Sequence, residues 1–190
     1  MRQKATQAEN QAAYDIIYLG RMTYQKNVER LLDVLEKVIA QKPDLKAVLI
    51  GTGELAEKVQ QIIADKKMQD NVGYLGFMSN PYGILNHSKV MLMTSRWEGL
   101  PMCALESLAL GVPIVSTPTD GLKELLEEGK TGCLSNEDEA LAEALLQLIR
   151  NPEVRRQMSE NARIKAKNDN DTVCYRNKLL AAYRKAIQND

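Results

Sequence analysis

Histidine, phenylalanine and tryptophan occur once each in the 190 residues, and cysteine three times. Cys103, Cys133 and Cys174 are odd in number and share no close spacing. That argues against a disulfide framework and against a zinc site, and fits a reducing compartment. His87 follows Pro81 in a helical stretch and reads as structural, so neither a nucleophile constellation nor a cluster of metal ligands is visible. Charge of one sign is missing too: Lys plus Arg is 25 and Asp plus Glu is 25. A balanced chain offers no broad cationic face for the phosphates of nucleic acid. The opening MRQKATQAENQAAYD holds no apolar run, so no secretory signal is seen. The longest nearly uncharged stretch, Pro101–Thr119, is interrupted by Glu106, Gly111 and two further prolines and is no membrane span. No Walker lysine motif is present. What is there is 44% hydrophobic and 26% charged, enough for one soluble globular domain with a sizeable core.

Residues 1–14 are polar and aperiodic and read as a linker or an amino-terminal arm; residues 15–190 form the domain. Short β-branched or aliphatic runs occur at Ile16–Leu19, Ala47–Ile50, Val72–Leu75, Val90–Met93 and Ile114–Ser116. Between them lie stretches with helical spacing, such as Val28, Leu31, Leu32, Leu35, Val38 and Ile39, and then Leu55, Val59, Ile62 and Ile63. Runs apolar on both sides and separated by amphipathic helices predict an α/β domain, a doubly wound parallel sheet of Rossmann-like type. After Leu134 the strand signal stops. A helix over 137–149 is expected, Pro152 suits the first turn of the next, and a last helix should cover about Thr172 to Ile187. In such a sheet the ligand lies outside the carboxyl ends of the strands.

The first run ends in Gly20-Arg21, with Lys26 five residues later at the start of a helix. Two cations beside a helix N-terminus suit a phosphate or diphosphate, and equally a pair of solvated charges. Gly51-Thr52-Gly53-Glu54-Leu55-Ala56 fits the dinucleotide fingerprint but follows the second run, and Glu54 would repel a pyrophosphate; it reads as a tight turn. The most informative segment runs from Ser95 to Ser107. Gly99 admits close approach to the backbone, Pro101 suits a first helical turn, and the N–H groups of that turn face the cleft. Glu106 is the only charge between Pro101 and Thr119, and burial of a lone carboxylate is costly unless something hydrogen-bonds it. Ribose hydroxyls are suitable partners; a solvent-reaching carboxylate is the plain alternative. Glu98 is either a solvated loop acid or a contact to the group a diphosphate carries. The turns Gly111–Pro113 and Thr117–Gly121 need no function.

Four segments taken together resemble the nucleotide-sugar-binding half of retaining glycosyltransferases of the family-4, group 1 type, with the GT-B fold. They are YLGRMTYQKN, LIGTGELAEKV, SRWEGLPMCALESLALGVPIVST and TDGLKELLEEGKTG, in the family's order over about residues 15 to 185. The third carries the E-x7-E signature with Glu98 and Glu106 at the glutamate positions. The resemblance implies that Glu106 accepts the ribose hydroxyls, that Glu98 contacts the transferred sugar, and that the backbone at Gly99, Leu100, Pro101 and Met102 meets the sugar and distal phosphate. It implies that Arg21 and Lys26 neutralise the departing diphosphate without a metal or other cofactor, and that the base lies near Gly76, Phe77 and Met78. The implied partner is a nucleoside-diphosphate sugar, with UDP the family's commonest nucleotide and a hexose transferred to a saccharide or envelope polymer.

The family's acceptor-binding amino-terminal domain is absent from these residues. The expectation is therefore a donor half, excised or working with a separate subunit, inactive alone, cytoplasmic, and reaching the inner face of a membrane only through the missing half. A non-catalytic nucleotide-sugar-binding module and an NAD-binding oxidoreductase domain are the alternatives.

Overall fold

Period-two alternation in β1 (Tyr14–Leu19) sends Ile16 and Tyr18 into one apolar cluster and Ile17 into the other. A strand buried on both faces must have layers on both sides, and the computed structural model, which describes residues 14–169, has that architecture. The strands β2 (Ala47–Ile50), β3 (Val72–Tyr74), β4 (Ser88–Met93), β5 (Ile114–Ser116) and β6 (Gly132–Leu134) join β1 in one sheet of order β3-β2-β1-β4-β5-β6. Every pairing is parallel, with Ile16 opposite Ala47 on one side and Val90 on the other.

The α-helices among the described residues are α1 (Val28–Gln41), α2 (Ala56–Asp65), α3 (Tyr82–Asn86), α4 (Met102–Leu110), α5 (Asp120–Leu125), α6 (Asp138–Arg150) and α7 (Pro152–Asp169), and a 3-10 turn, Tyr24–Lys26, leads into α1. Leu31, Leu32, Leu35 and Val38 of α1 pack with Leu141, Leu145 and Leu148 of α6 in one cluster. Ala104 and Leu108 of α4 meet Ala162 and Ala166 of α7 in the other. Truncating a fully buried side chain such as Leu35 to alanine costs about 2–5 kcal/mol.

Three departures from the sequence reading have local causes. Tyr14, read as part of the arm, opens β1. β6 is a strand the sequence reading lacks; its three residues at the sheet's edge have no pattern of their own and exist through pairing with β5. The turn read at Thr117–Gly121 runs directly into α5, whose first residue is Asp120. The helix expected at Thr172–Ile187 lies outside the described residues. His87, the C-cap of α3, faces the Gly83 carbonyl through Nδ1 at 2.8 Å, the structural part expected of it.

Candidate functional site

The strand order reverses direction between β1 and β4, the point at which a doubly wound sheet opens a crevice at its carboxyl edge. A cleft of about 430 Å³ lies there. Its walls come from the loops after β1 (Arg21, Lys26), β2 (Gly51, Thr52) and β3 (Phe77, Met78), from Tyr82 on α3, and from Pro101, Met102, Cys103 and Glu106 at the start of α4.

The first three loops are lashed together through the backbone. Gly20 N–H donates to Ile50 O at 3.0 Å, Met22 N–H to Thr52 O at 3.0 Å, and Gly51 N–H to Gly76 O at 2.8 Å. Gly51 has φ +136°, and a Cβ there would fall on the Gly20 carbonyl. The G-x-G turn is thus a packing device for the neighbouring loop, and its position after the second strand follows from that. Glu54 takes the Tyr24 N–H at 3.3 Å, so it ties this turn to the first loop. Beneath, the buried Tyr18 hydroxyl donates to Arg21 O at 2.7 Å and fixes the turn that presents Arg21; burial pushes that phenol's pKa far up, which keeps it a donor.

Glu98 is not a solvated loop acid. Lys26 Nζ lies 2.5 Å from its Oε1, with side-chain exposures of 11% and 6%. Ser95 Oγ donates to the same oxygen at 2.6 Å. A buried pair of this kind is costly to break, because either partner alone is an uncompensated charge. The Lys26 ammonium has three donors, and Lys26 also lines the cleft. The loop bearing Glu98 is held from behind: Gly121 N–H donates to Glu98 O at 3.2 Å, and a Cβ on Gly121 would fall on the Gly99 carbonyl. Gly121, read from sequence as a functionless turn residue, therefore sets where Glu98 stands.

Glu106, half-buried on the cleft wall, accepts from the Tyr82 hydroxyl at 2.8 Å through Oε1. That bond raises the tyrosine's pKa, so it remains a donor, and it answers the question of what supports a lone carboxylate on an apolar helix. Oε2 has no partner among the described residues. Between the two glutamates sits Cys103, whose thiol burial pushes up to about 11; Lys26 opposes this, while Glu98 and Glu106 add to it. The N–H groups of Met102 and Cys103, at the start of α4, have no carbonyl a turn earlier to bond, so the helix presents donors to the cleft.

Of the residues singled out from sequence, Arg21, Lys26, Phe77, Met78, Pro101, Met102 and Glu106 line one cleft. Gly76, Glu98, Gly99 and Leu100 do not line it. Gly76 instead bonds Gly51, Glu98 is bound to the cleft-lining Lys26, Gly99 is pressed against Gly121, and Leu100 is exposed. Pro101 is the extended residue just before α4 rather than within its first turn. Sequence reasoning passed over Ser95, Tyr82, Cys103 and Gly121. Only Ser95 carried a signal, being three residues from Glu98 in a loop. Among the described residues no three His, Cys, Asp or Glu side chains gather as metal ligands, and no helix is long and apolar enough to cross a membrane.

A family model described as glycosyl transferases group 1 matches residues 2–165. An uncharacterized glycosyltransferase of Methanocaldococcus jannaschii is 36% identical over 115 residues, covering 60% of this chain and 28% of that protein. Among solved structures, a Staphylococcus aureus TarM variant in complex with fondaparinux, α-GlcNAc-glycerol and UDP superposes with a TM-score of 0.83 at 24% identity, over 90% of this chain and 36% of that one. Anabaena HepE in complex with UDP gives 0.82 at 20% identity, over 97% and 53%. These likenesses show a shared fold, the GT-B half-fold read from the sequence, and this chain spans well under two thirds of each of the three.

Proposed function

The chain belongs to the glycosyl transferases group 1 family, and we propose that it forms the half of a retaining glycosyltransferase that holds a UDP-linked hexose. The carrying observation is the meeting in one cleft of Arg21, Lys26, the donor-rich start of α4 and Glu106. Cations and helix N–H groups suit a diphosphate, and a carboxylate with an open oxygen a short way off suits ribose hydroxyls. Phe77 and Met78 supply the apolar wall that a base requires. UDP in the TarM and HepE structures supports the choice of nucleotide.

In this reading the bond from the sugar's anomeric carbon to the β-phosphate oxygen breaks, and the acceptor hydroxyl forms the new bond on the same face. Its proton goes to the departing phosphate. Arg21, Lys26 and the α4 N–H groups meet the charge that develops on UDP, in place of a metal. Glu98, already held by Lys26 and Ser95, contacts the transferred hexose. The acceptor is a saccharide or envelope polymer, positioned by a domain outside these residues, in a reducing compartment.

Calorimetric titration of the chain with UDP, GDP, ADP and NAD tests this. UDP should bind with Kd between about 10 μM and 1 mM, or roughly −4 to −7 kcal/mol. EDTA should leave that binding unchanged, and Glu106→Ala should weaken it by at least about tenfold. Binding of NAD alone, indifferent to Glu106→Ala, overturns the reading.

A further inference from the structure

The chain's single tryptophan precedes Glu98 and is 54% exposed; Tyr24 beside it is 58% exposed. Their ring centroids are 6.0 Å apart with planes at 54°, an open V rather than a closed stack. Both rings sit on well-anchored backbone. The Arg96 guanidinium lies 4.2 Å from the Tyr24 centroid and donates through Nε to Tyr24 O at 3.2 Å. Arg96 N–H donates to Gln25 O at 2.8 Å, and Gln25 Nε2 to Trp97 O at 3.0 Å. Aromatic surface left in water forfeits the gain that burial brings, and here it is fixed in place as well.

We propose that Tyr24 and Trp97 form a platform for a pyranose ring of the acceptor saccharide. A pyranose has a face of C–H groups, which lies well on an aromatic ring, and an edge of hydroxyls that needs polar neighbours. Arg96, over the Tyr24 ring, and Gln25 and Glu54, which bond the backbone of Trp97 and Tyr24, supply those neighbours. The location adds a reason. Gln25 also reaches Glu98 Oε2 at 3.5 Å, so the platform adjoins the carboxylate assigned to the transferred sugar. The inference rests on the donor reading above and extends it to the acceptor, to which the chain then contributes its own contacts.

Trp97 fluorescence reads the platform directly, since no other tryptophan contributes. The chain, with saturating UDP, is titrated with methyl α-glucopyranoside, methyl N-acetyl-α-glucosaminide and cellobiose, with glycerol as a hydroxyl-rich control lacking a ring. A saturable change is expected with at least one pyranoside, with Kd on the order of millimolar to tens of millimolar. Tyr24→Ala should weaken it at least about tenfold while calorimetric UDP affinity moves less than about twofold, and Tyr24→Phe should retain it. A response to no pyranoside, or an equal response to glycerol, overturns the platform while UDP binding stands. Pyranoside binding without UDP binding overturns the donor reading and keeps the platform as a saccharide site.

Discussion

In the loop after β4, Glu98 has its needs met inside the chain, by Lys26 at 2.5 Å and Ser95 at 2.6 Å, and its side chain is 6% exposed. On α4, eight residues later, Glu106 has one tyrosine partner and an oxygen turned to the cleft wall. One signature thus contains a carboxylate that is already neutralised and one that is poised. The first shapes the cleft through Lys26, at a stability cost if disturbed. The second is open to a ligand and can be changed with little cost to the fold.

The strongest way to break this contrast is Lys26→Met, which strands Glu98 in a buried place. Unfolding free energy should drop by about 3–5 kcal/mol in urea titration. The double variant Lys26→Met/Glu98→Leu should recover most of that stability, with UDP binding lost in both variants; a double variant as unstable as the single one would show that the pair is not what holds the loop.

Gly121→Ala attacks the same loop from behind. Its methyl group needs the space of the Gly99 carbonyl, so stability should fall by about 1–3 kcal/mol, with UDP-sugar affinity falling more than UDP affinity. Full retention of both would remove Gly121 from the account of the site.

Glu106→Ala, on the poised side, should lower UDP affinity by at least about 10–100-fold, or roughly 1.4–2.8 kcal/mol, with the melting temperature nearly unchanged. Pyrophosphate, which lacks the ribose, should bind the variant as it binds the parent. Tyr82→Phe sharpens the point more gently: removing the hydroxyl that orients Glu106 should weaken UDP about three- to tenfold and weaken 2′,3′-dideoxy-UDP hardly at all.

The smallest effect lies at high pH. Cys103 has its folded pKa raised to about 11, so its contribution is fully present below the unfolded thiol's pKa and is lost as pH rises through the folded value. Between about pH 9 and 11 stability should fall by up to about 1.4 kcal/mol per pH unit from this thiol, and Cys103→Ala should show a shallower fall than the parent. Parallel profiles would dissociate the thiol from the alkaline limb.

Comparing the loops with the strands shows how much could be read in advance. The strands β1 to β5 are legible as apolar runs, the helices α1, α2 and α6 by their apolar spacing and α4 by Pro101 at its start, and burial on both faces demands the parallel sheet. β6 and α5 are not, since three and six residues carry too little pattern and depend on neighbours far along the chain. The cleft residues Arg21, Lys26 and Glu106 are legible as charges at strand ends and helix starts, where a doubly wound sheet binds its ligands.

The sequence by itself determined the fold class, the edge at which ligands enter and the chemical types gathered there, because composition, period and loop position are local properties. Only the tertiary structure decided that Glu98 pairs with Lys26 across 72 positions, that Tyr82 steadies Glu106, and that Gly121 seats the Glu98 loop. Those depend on which loops the strand order brings side by side, and a hydrogen bond of under 3 Å or a missing Cβ is specified by that juxtaposition rather than by the residues on either side of it.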